Sequence, residues 1–306
     1  MKILLQFPEG LKQKAAELVK KYEGEGHEVF LSASPCYGAC DIALDEARWI
    51  KADKIVHFGH NKFVKTNLPI EVEYVPYNID IDVNEIEKII NLLKDYKTIA
   101  LVTTVQHVHQ IEKMKEIFAK HGITALTEKG YWATTEGQIL GCDTLSIKKL
   151  DKKIDAVVYV GDGMFHPLGI ESEKQIFAFN PYTKQVKLMN PEIEKLKKRR
   201  RGSLAAAVTA KRFGILVSTK VGQFNLHSAE WAKKELGKHG REASILVANE
   251  LDPLTVNNFM VFDCYVNTAC PRIVDDTEEY GKPILSMDML KELFRILDEP
   301  SSNDKQ

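Results

Sequence analysis

The sequence predicts an α/β protein built from three repeated small α/β units with parallel sheets. Three observations predict it. Apolar runs of strand length alternate with amphipathic helices along the chain. The layout strand, helix, turn, strand occurs three times. The first two copies also share a spacing, because 53 − 40 and 155 − 142 both give 13 residues from Cys40 to Asp53 and from Cys142 to Asp155.

The elements follow in order. The first unit opens with KILLQFPEG, continues with the helix LKQKAAELVKKY, turns at Gly26-His27 and returns as the strand EVFLSA. The second opens with TIALVTTVQH, continues with QIEKMKEIFAK, turns at His121-Gly122 and returns as ITAL. The third opens with RFGILVSTKVGQ, continues with SAEWAKKELGK, turns at His239-Gly240 and returns as ASILVA. The glycine in each turn suits the end of a helix, where a left-handed backbone is wanted. A further apolar strand closes each unit: DKIVHFGH, DAVVYVGDG and MVFDCYVNTA. QIFAFNPYTKQVKLMN reads as a hairpin around Asn180-Pro181, and PEIEKLKKRRRGSLAAAVTAKR as a helix leading into the third unit. The units are expected at 1–95, 96–190 and 191–306, with the tail SSNDKQ frayed. Alternating strands and helices imply right-handed crossovers between parallel strands.

Composition narrows the function classes. The 306 residues are 44% hydrophobic and 28% charged, ordinary for a globular protein with a sizeable core. A net charge of −1 leaves no global field for nucleic acid or a membrane surface. The opening apolar run stops at Pro8-Glu9, too short for a signal core, and no stretch approaches a membrane span. A cytoplasmic location is expected. Five cysteines cannot all pair with one another, and in an intracellular chain they point to metal ligands, catalytic thiols or core residues.

Open parallel sheets bind ligands outside the carboxyl ends of their strands. Cys40, Cys142 and Cys270 each follow a strand of a different unit, so the three units can be arranged around a central cluster site. Soft thiolates select iron–sulfur clusters or zinc, and three of them leave one iron of a four-iron cluster open; separate small core residues are the competing reading. No C-x-x-C pair occurs, which disfavours a structural zinc site. Cys36 forms CYGAC with Cys40 but the radical-SAM C-x-x-x-C-x-x-C run is incomplete, so Cys36 is expected beside the ligands or in the core; Cys264, inside a strand, is expected in the core. The ends of the first strands carry polar groups: Gln6, Gln106, His107, Lys220 and Gln223. Lys220 can pair with a carboxylate, and either Gln106 or Gln223 can hydrogen-bond an amino-acid moiety. Gly161-Asp162-Gly163 and His166 end the third strand of the second unit, where glycines allow close approach of a ligand. His57, His60, His107, His109 and His166 are candidates for acid–base work. The run from Lys195 to Gly202 is expected to be a solvated basic helix face.

QFPEGL, PCYGACD, TTVQH, EGQILGCD, VGDGMFHPLG, STKVGQ and NTACPRIVDD, in this order, resemble the archaeal diphthamide-biosynthesis family of 2-(3-amino-3-carboxypropyl)histidine synthases over nearly the whole chain. Cys264 departs from the small residue expected there. The resemblance implies a homodimer of chains with three similar α/β domains. It implies Cys40, Cys142 and Cys270 as ligands of a 4Fe–4S cluster, with S-adenosylmethionine bound near the open iron. Gln106, His107, Asp162, His166, Lys220 and Gln223 are the candidates for holding its methionine part. The implied reaction is noncanonical radical chemistry. A 3-amino-3-carboxypropyl group passes to C2 of a histidine imidazole in translation elongation factor 2, the first step towards diphthamide, and methylthioadenosine leaves. Quinolinate synthase shares the design of three domains with one cysteine each, although its motifs are not visible. A non-catalytic metal-binding protein is the remaining alternative. No membrane or direct nucleic-acid partner is expected.

Overall fold

The computed structural model describes every residue except Val64, Thr66 and 300–306, so the tail expected to fray lies outside the described residues. The chain divides into two compact units, Met1–Pro191 and Glu192–Gln306. The first holds two sheets and the second holds one.

The first sheet contains β1 (Lys2–Gln6), β2 (Glu28–Leu31), β3 (Lys54–Phe58) and β4 (Glu71–Val75), ordered β2-β1-β3-β4 and parallel throughout. The second contains β5 (Thr98–Thr103), β6 (Thr124–Leu126), β7 (Ala156–Val160), β8 (Gln175–Asn180) and β9 (Gln185–Leu188), ordered β6-β5-β7-β8-β9. Only β8–β9 is antiparallel, and it forms the hairpin expected around Asn180-Pro181. The third contains β10 (Arg212–Ser218), β11 (Glu242–Ala248), β12 (Cys264–Asn267) and β13 (Ile284–Leu285), ordered β11-β10-β12-β13 and parallel. The first four strands of each sheet therefore repeat one order, second-first-third-fourth. The mixed α/β class with mostly parallel sheets is as the sequence predicts. Neither edge strand, β4 nor β13, was among the strands expected from the sequence, and β13 is only two residues long.

The repeat helices lie where their periods placed them, although LKQKAAELVKKY opens as a 3-10 turn, Glu9–Lys14, before the α-helix Ala15–Gly24, and the helix leading into the third unit ends at Ala207, short of the stretch expected. Ile111–Lys120 buries Ile111, Met114, Ile117 and Phe118, a single face at spacings of three and four. Ile111, Met114 and Phe118 share one core with Ile99, Leu101, Val158 and Val160. Burying each such side chain stabilises the fold by roughly 1.5–3 kcal/mol. Leu226–Lys238 buries Ala229, Ala232 and Leu236 in the same way. After the first helix of each repeat, Gly26, Gly122 and Gly240 take φ of +84°, +75° and +67°. These are left-handed values that cost a side-chain-bearing residue free energy.

An aspartate ties the third strand of each repeat to the first. The Asp53 carboxylate accepts the Lys2 N–H at 2.7 Å; that of Asp155 accepts Lys97 and Thr98, both at 2.9 Å; that of Asp263 accepts Lys211 at 3.1 Å and Arg212 at 2.9 Å. Their own N–H groups donate back to Lys2, Thr98 and Arg212. The first two aspartates stand out in the sequence through their spacing from cysteine. Asp263 does not, because its unit carries the cysteine on the other side of the strand. These backbone donors hold the Asp155 carboxyl below its ordinary range. A carboxylate so held stabilises the fold above its unfolded pKa, and the benefit fades as pH falls through the lowered value. Asp155→Ala is expected to cost roughly 1 kcal/mol at neutral pH, below the range of roughly 1.5–3 kcal/mol for hydrogen bonds to charged groups because the group is exposed. The difference from the unsubstituted chain should close in acid. Urea unfolding at neutral and acidic pH checks both parts; a gap that widens in acid contradicts the account.

Candidate active site and metal ligands

In all three sheets the chain runs outward from the first strand to the second, then crosses back to the third on the other side. The first and third strands therefore flank a switch point, and loops from their carboxyl ends meet there. Cys40 and Cys142 lie in the loops that follow β2 and β6 and bond back to the ends of β1 and β5, and Cys270 lies in the loop that follows β12.

Gln6, the last residue of β1, is buried and holds the Cys40 loop. Its Nε2 donates to the Asp41 carbonyl at 2.6 Å and its Oε1 accepts the Ala43 N–H at 3.1 Å. Opposite partners on the two amide atoms fix which is which. His57, facing Gln6 across the β1–β3 pair, places Nδ1 2.9 Å from the same Oε1. That oxygen only accepts, so Nδ1 carries the proton and Nε2 keeps its lone pair. His57 Nε2 is 3.0 Å from His60 Nδ1, which must then donate, leaving the lone pair of His60 on Nε2. Burial, and secondarily His60, pushes His57 down to about 3; burial pushes His60 down to about 4. Both rings are therefore neutral at pH 7. The Tyr74 ring packs on His57 at 5.6 Å. Cys36 is buried and Cys40 half-buried. Among the described residues, Cys36, His57 and His60 form a group of metal donors within 4.8 Å of one another.

In the second sheet, Thr103 ends β5 and plays the part of Gln6 with its backbone. It exchanges hydrogen bonds with Gly137 and Ile139, so the segment before Cys142 runs beside β5, while its hydroxyl donates to Val160 across the switch point. Asp143, buried like Asp41, accepts Trp132 and Leu145 N–H groups and closes the loop with Cys142 outward and exposed. In both C-D pairs the aspartate is buried and accepts a loop N–H, from Tyr37 at 3.4 Å for Asp41 and from Trp132 at 2.6 Å for Asp143, while Cys40 is half-buried and Cys142 exposed.

The other candidates in this unit have the following partners. Gln106 Nε2 lies 3.4 Å from the Gly59 carbonyl, and its own carbonyl accepts the Ile79 N–H. His107 is buried, donates from Nδ1 to the Ile79 carbonyl at 3.0 Å and meets the Tyr182 hydroxyl at Nε2 at 3.4 Å. Both His107 nitrogens thus hold loops together, and burial lowers its pKa. Asp162 is exposed and accepts from Gly163 N–H at 2.7 Å and Asn180 Nδ2 at 2.6 Å. His166 stacks on buried Tyr159 with a 15° interplanar angle. The Tyr159 hydroxyl donates to the Asp162 carbonyl at 3.2 Å. A Cβ on Gly161 would sit 2.7 Å from the Tyr159 ring carbon that carries this hydroxyl. Tyr159 is fully buried and cannot swing away. Gly161→Ala is therefore expected to cost about 1–3 kcal/mol, the range for overpacking, measured by urea unfolding. An unchanged midpoint would show that the loop yields freely.

In the second compact unit, Cys270 follows β12 by three residues and is half-buried. Asn267 Nδ2 donates to its carbonyl at 2.8 Å. Burial raises the Cys270 thiol, while a backbone hydrogen bond from Arg272 and its guanidinium act the other way and favour thiolate. Asp275 accepts Arg272 Nε at 3.0 Å and a two-toothed contact from Arg200 at 2.9 and 3.1 Å, fastening the turn Pro271–Asp275 after Cys270. Arg200 belongs to the basic run expected to be a solvated face, so that run has a structural member. Lys220 is buried, with Nζ 2.9 Å from the Glu250 carboxylate and 3.4 Å from Asn249 Oδ1. Gln223 is half-buried in the same turn, its N–H donating to the Lys220 carbonyl at 2.8 Å. Cys264 is fully buried in the core under β10 and β12, and burial pushes its thiol up to about 12.

Local reading named Gln6 as a strand-end polar group but missed its anchoring role, and it missed Asp275. Gln6 and Asp275 bond to partners 35 to 75 residues away, and no periodicity marks them. The C-D repeat was the one available signal for Asp41 and Asp143.

Fold and donors together define a class: a repeated α/β protein whose thiols stand at the switch points of parallel sheets. Residues 7–304 match the family described as diphthamide synthesis protein, and the chain belongs to that family. It is 35% identical to the 2-(3-amino-3-carboxypropyl)histidine synthase of Pyrococcus horikoshii, covering 97% of this chain and 87% of that one. It is 30% identical to the Methanocaldococcus jannaschii enzyme of the same name, covering 95% and 83%. A crystal structure of Dph2 from Pyrococcus horikoshii with a 4Fe-4S cluster superposes with a TM-score of 0.87 at 34% identity, covering 97% of this chain and 87% of that one. Membership separates the chain from quinolinate synthase, the other three-cysteine design that its sequence left open. No helix among the described residues is long and apolar enough to cross a membrane.

Proposed function

We propose that this chain is a 2-(3-amino-3-carboxypropyl)histidine synthase. It transfers the 3-amino-3-carboxypropyl group of S-adenosylmethionine by a radical mechanism to C2 of a histidine imidazole in translation elongation factor 2, the first step of diphthamide synthesis. Cys40, Cys142 and Cys270 hold a 4Fe–4S cluster, and the chain works as a homodimer in the cytoplasm.

The observation that carries the reading is the sorting of the thiols. Three stand in polar loops at strand ends, exposed or half-buried, while Cys264 is sealed in the core. Three accessible thiols, each giving up its proton on binding iron, suit a four-iron cluster with one open iron. When bound, the cluster supplies the electron that breaks the sulfur–carbon bond to the aminocarboxypropyl chain. The protein does the rest by holding and orienting. Gln6 and Asp41 set the Cys40 loop, Asp143 sets the Cys142 loop, and Asn267 with Arg272 sets the Cys270 turn. Lys220, with Gln223 beside it, offers a buried cation for the methionine carboxylate, in exchange with Glu250. Gln106, His107, Asp162 and His166 complete the set proposed to hold the methionine part, His107 by fixing the loop that carries Gln106. Which carbon faces the cluster decides the bond that breaks, so positioning is the catalytic variable.

The test is anaerobic. The reconstituted chain is reduced with dithionite and given S-adenosylmethionine, and the nucleosides are separated. Methylthioadenosine that depends on reductant is the expected product. 5′-Deoxyadenosine in its place, or no cleavage by a chain with full iron content, overturns the proposal.

A further inference from the structure

Beside the Cys40 loop stands a second donor set, chemically different from the three thiols. Cys36 Sγ and one ring nitrogen each of His57 and His60 lie within 4.8 Å of one another. Cys36 and His57 are buried, His60 half-buried, and His57 is at the carboxyl end of β3 next to the switch point of the first sheet. We propose that Cys36, His57 and His60 bind a divalent cation of the zinc class, with a fourth position open. The inference stands independently of the transferase reading.

The donor types carry it first. One thiolate with two imidazoles is a borderline-soft set that prefers zinc among the abundant divalent cations. Three protein ligands with an open position match catalytic zinc centres. Geometry carries it second. With zinc at about 2.0–2.1 Å from nitrogen and about 2.3 Å from sulfur, tetrahedral ligand atoms stand roughly 3.3–3.7 Å apart. The His57 Nε2 to His60 Nδ1 distance of 3.0 Å needs to open by only a few tenths. The sulfur, within 4.8 Å of one nitrogen of each ring, needs to close on those nitrogens by no more than about 1.5 Å. The surrounding shell carries it third. Metal-bound imidazoles donate their other N–H to a fixed acceptor. Gln6 Oε1 is that acceptor for His57 Nδ1, and Gln6 is itself fixed by Asp41 and Ala43. His57 thus presents its Nε2 lone pair before any metal arrives.

The protons balance. His57 keeps its Nδ1 proton on Gln6. The proton of His60 moves from Nδ1 to Nε2, freeing Nδ1 for the metal. The Cys36 thiol loses its proton, so one proton leaves for each cation bound.

The test uses the full chain with its iron reconstituted, incubated with zinc sulfate and dialysed. Metal analysis is expected to find one zinc per chain beside the iron. Zinc-edge X-ray absorption is expected to show one sulfur and two imidazole nitrogens plus one light atom. Being element-specific, it reads the zinc with iron present. Cys36→Ala and His60→Gln are each expected to lose the zinc and keep the iron. A zinc shell with no sulfur, or with three sulfurs, overturns the proposal: the first describes surface binding, the second zinc that has displaced iron from Cys40, Cys142 and Cys270. Zinc retained in both variants overturns it as well. The absorption result on the unsubstituted chain decides the matter even if a variant fails to fold. Iron content and methylthioadenosine formation, read separately, keep a failure here distinct from a failure of the transferase reading.

Discussion

Replacing Cys40, Cys142 or Cys270 singly with Ala is expected to lower the iron content and reduce methylthioadenosine formation to background. Each loop presents its thiol through anchors that do not involve the sulfur: the Gln6 amide for Cys40, the Asp143 carboxylate for Cys142 and the Asn267 amide for Cys270. Removing the sulfur should therefore leave the fold intact and delete one ligand. Two thiolates cannot hold the four-iron cluster firmly in competition with water and thiols in solution. Cys264→Ala is the control. Its sulfur is fully buried against the core, so it should cost stability and leave iron unchanged. Iron analysis, visible absorption and the nucleoside assay read all four variants. Full turnover in any of the first three removes that residue from the ligand set.

Asp275→Ala is expected to lower stability by about 3 kcal/mol, the low end of the range for removing one partner of a buried charge group. The Asp275 side chain is 7% exposed and lies between Arg272, 11% exposed, and Arg200, 34% exposed. Its loss leaves the Arg272 guanidinium buried beside Arg200 with no counter-charge from this residue, and unfastens the turn that follows Cys270. The neighbouring pair Arg199–Glu278 is open to water, 46% and 74% exposed, so Arg199→Ala should cost less than about 1 kcal/mol. Urea unfolding compares the two. Equal losses would mean that the Asp275 group is as solvated as its neighbour and does not hold the turn. Iron retention should follow stability here, with Asp275→Ala losing iron faster on dialysis than Arg199→Ala.

Much of this was legible locally. Runs such as ILL, IALV and GILV predicted buried parallel strands, and spacings of three and four predicted the helices between them. Asn180-Pro181 predicted the β8–β9 hairpin, and a cysteine in the middle of the run FMVFDCYVN predicted a core thiol. These are properties of neighbours along the chain, where period and turn chemistry act over a few residues. What the chain by itself determined is therefore the α/β class, the threefold repeat and the set of thiols worth weighing.

Other features depended on distant segments. The edge strands β4 and β13 exist because β3 and β12 offer open backbone groups, and β13 is too short to show a period. The role of Gln6 required the Asp41 carbonyl, the Ala43 amide and the His57 ring to meet at one strand end, over separations of 35 to 51 residues. Arg200 left the solvated face it was expected to occupy because Asp275 comes within reach only after 75 intervening steps of chain. The pairing of His57 with His60, and of both with Cys36, was equally unreadable, since three separate residues in CYGAC and HFGH carry no shared period. Only the tertiary structure decided these contacts. A hydrogen bond or a ligand set is specified by distances of a few ångströms in space, and those distances follow from how β1 and β3 pair and where the chain crosses back between them.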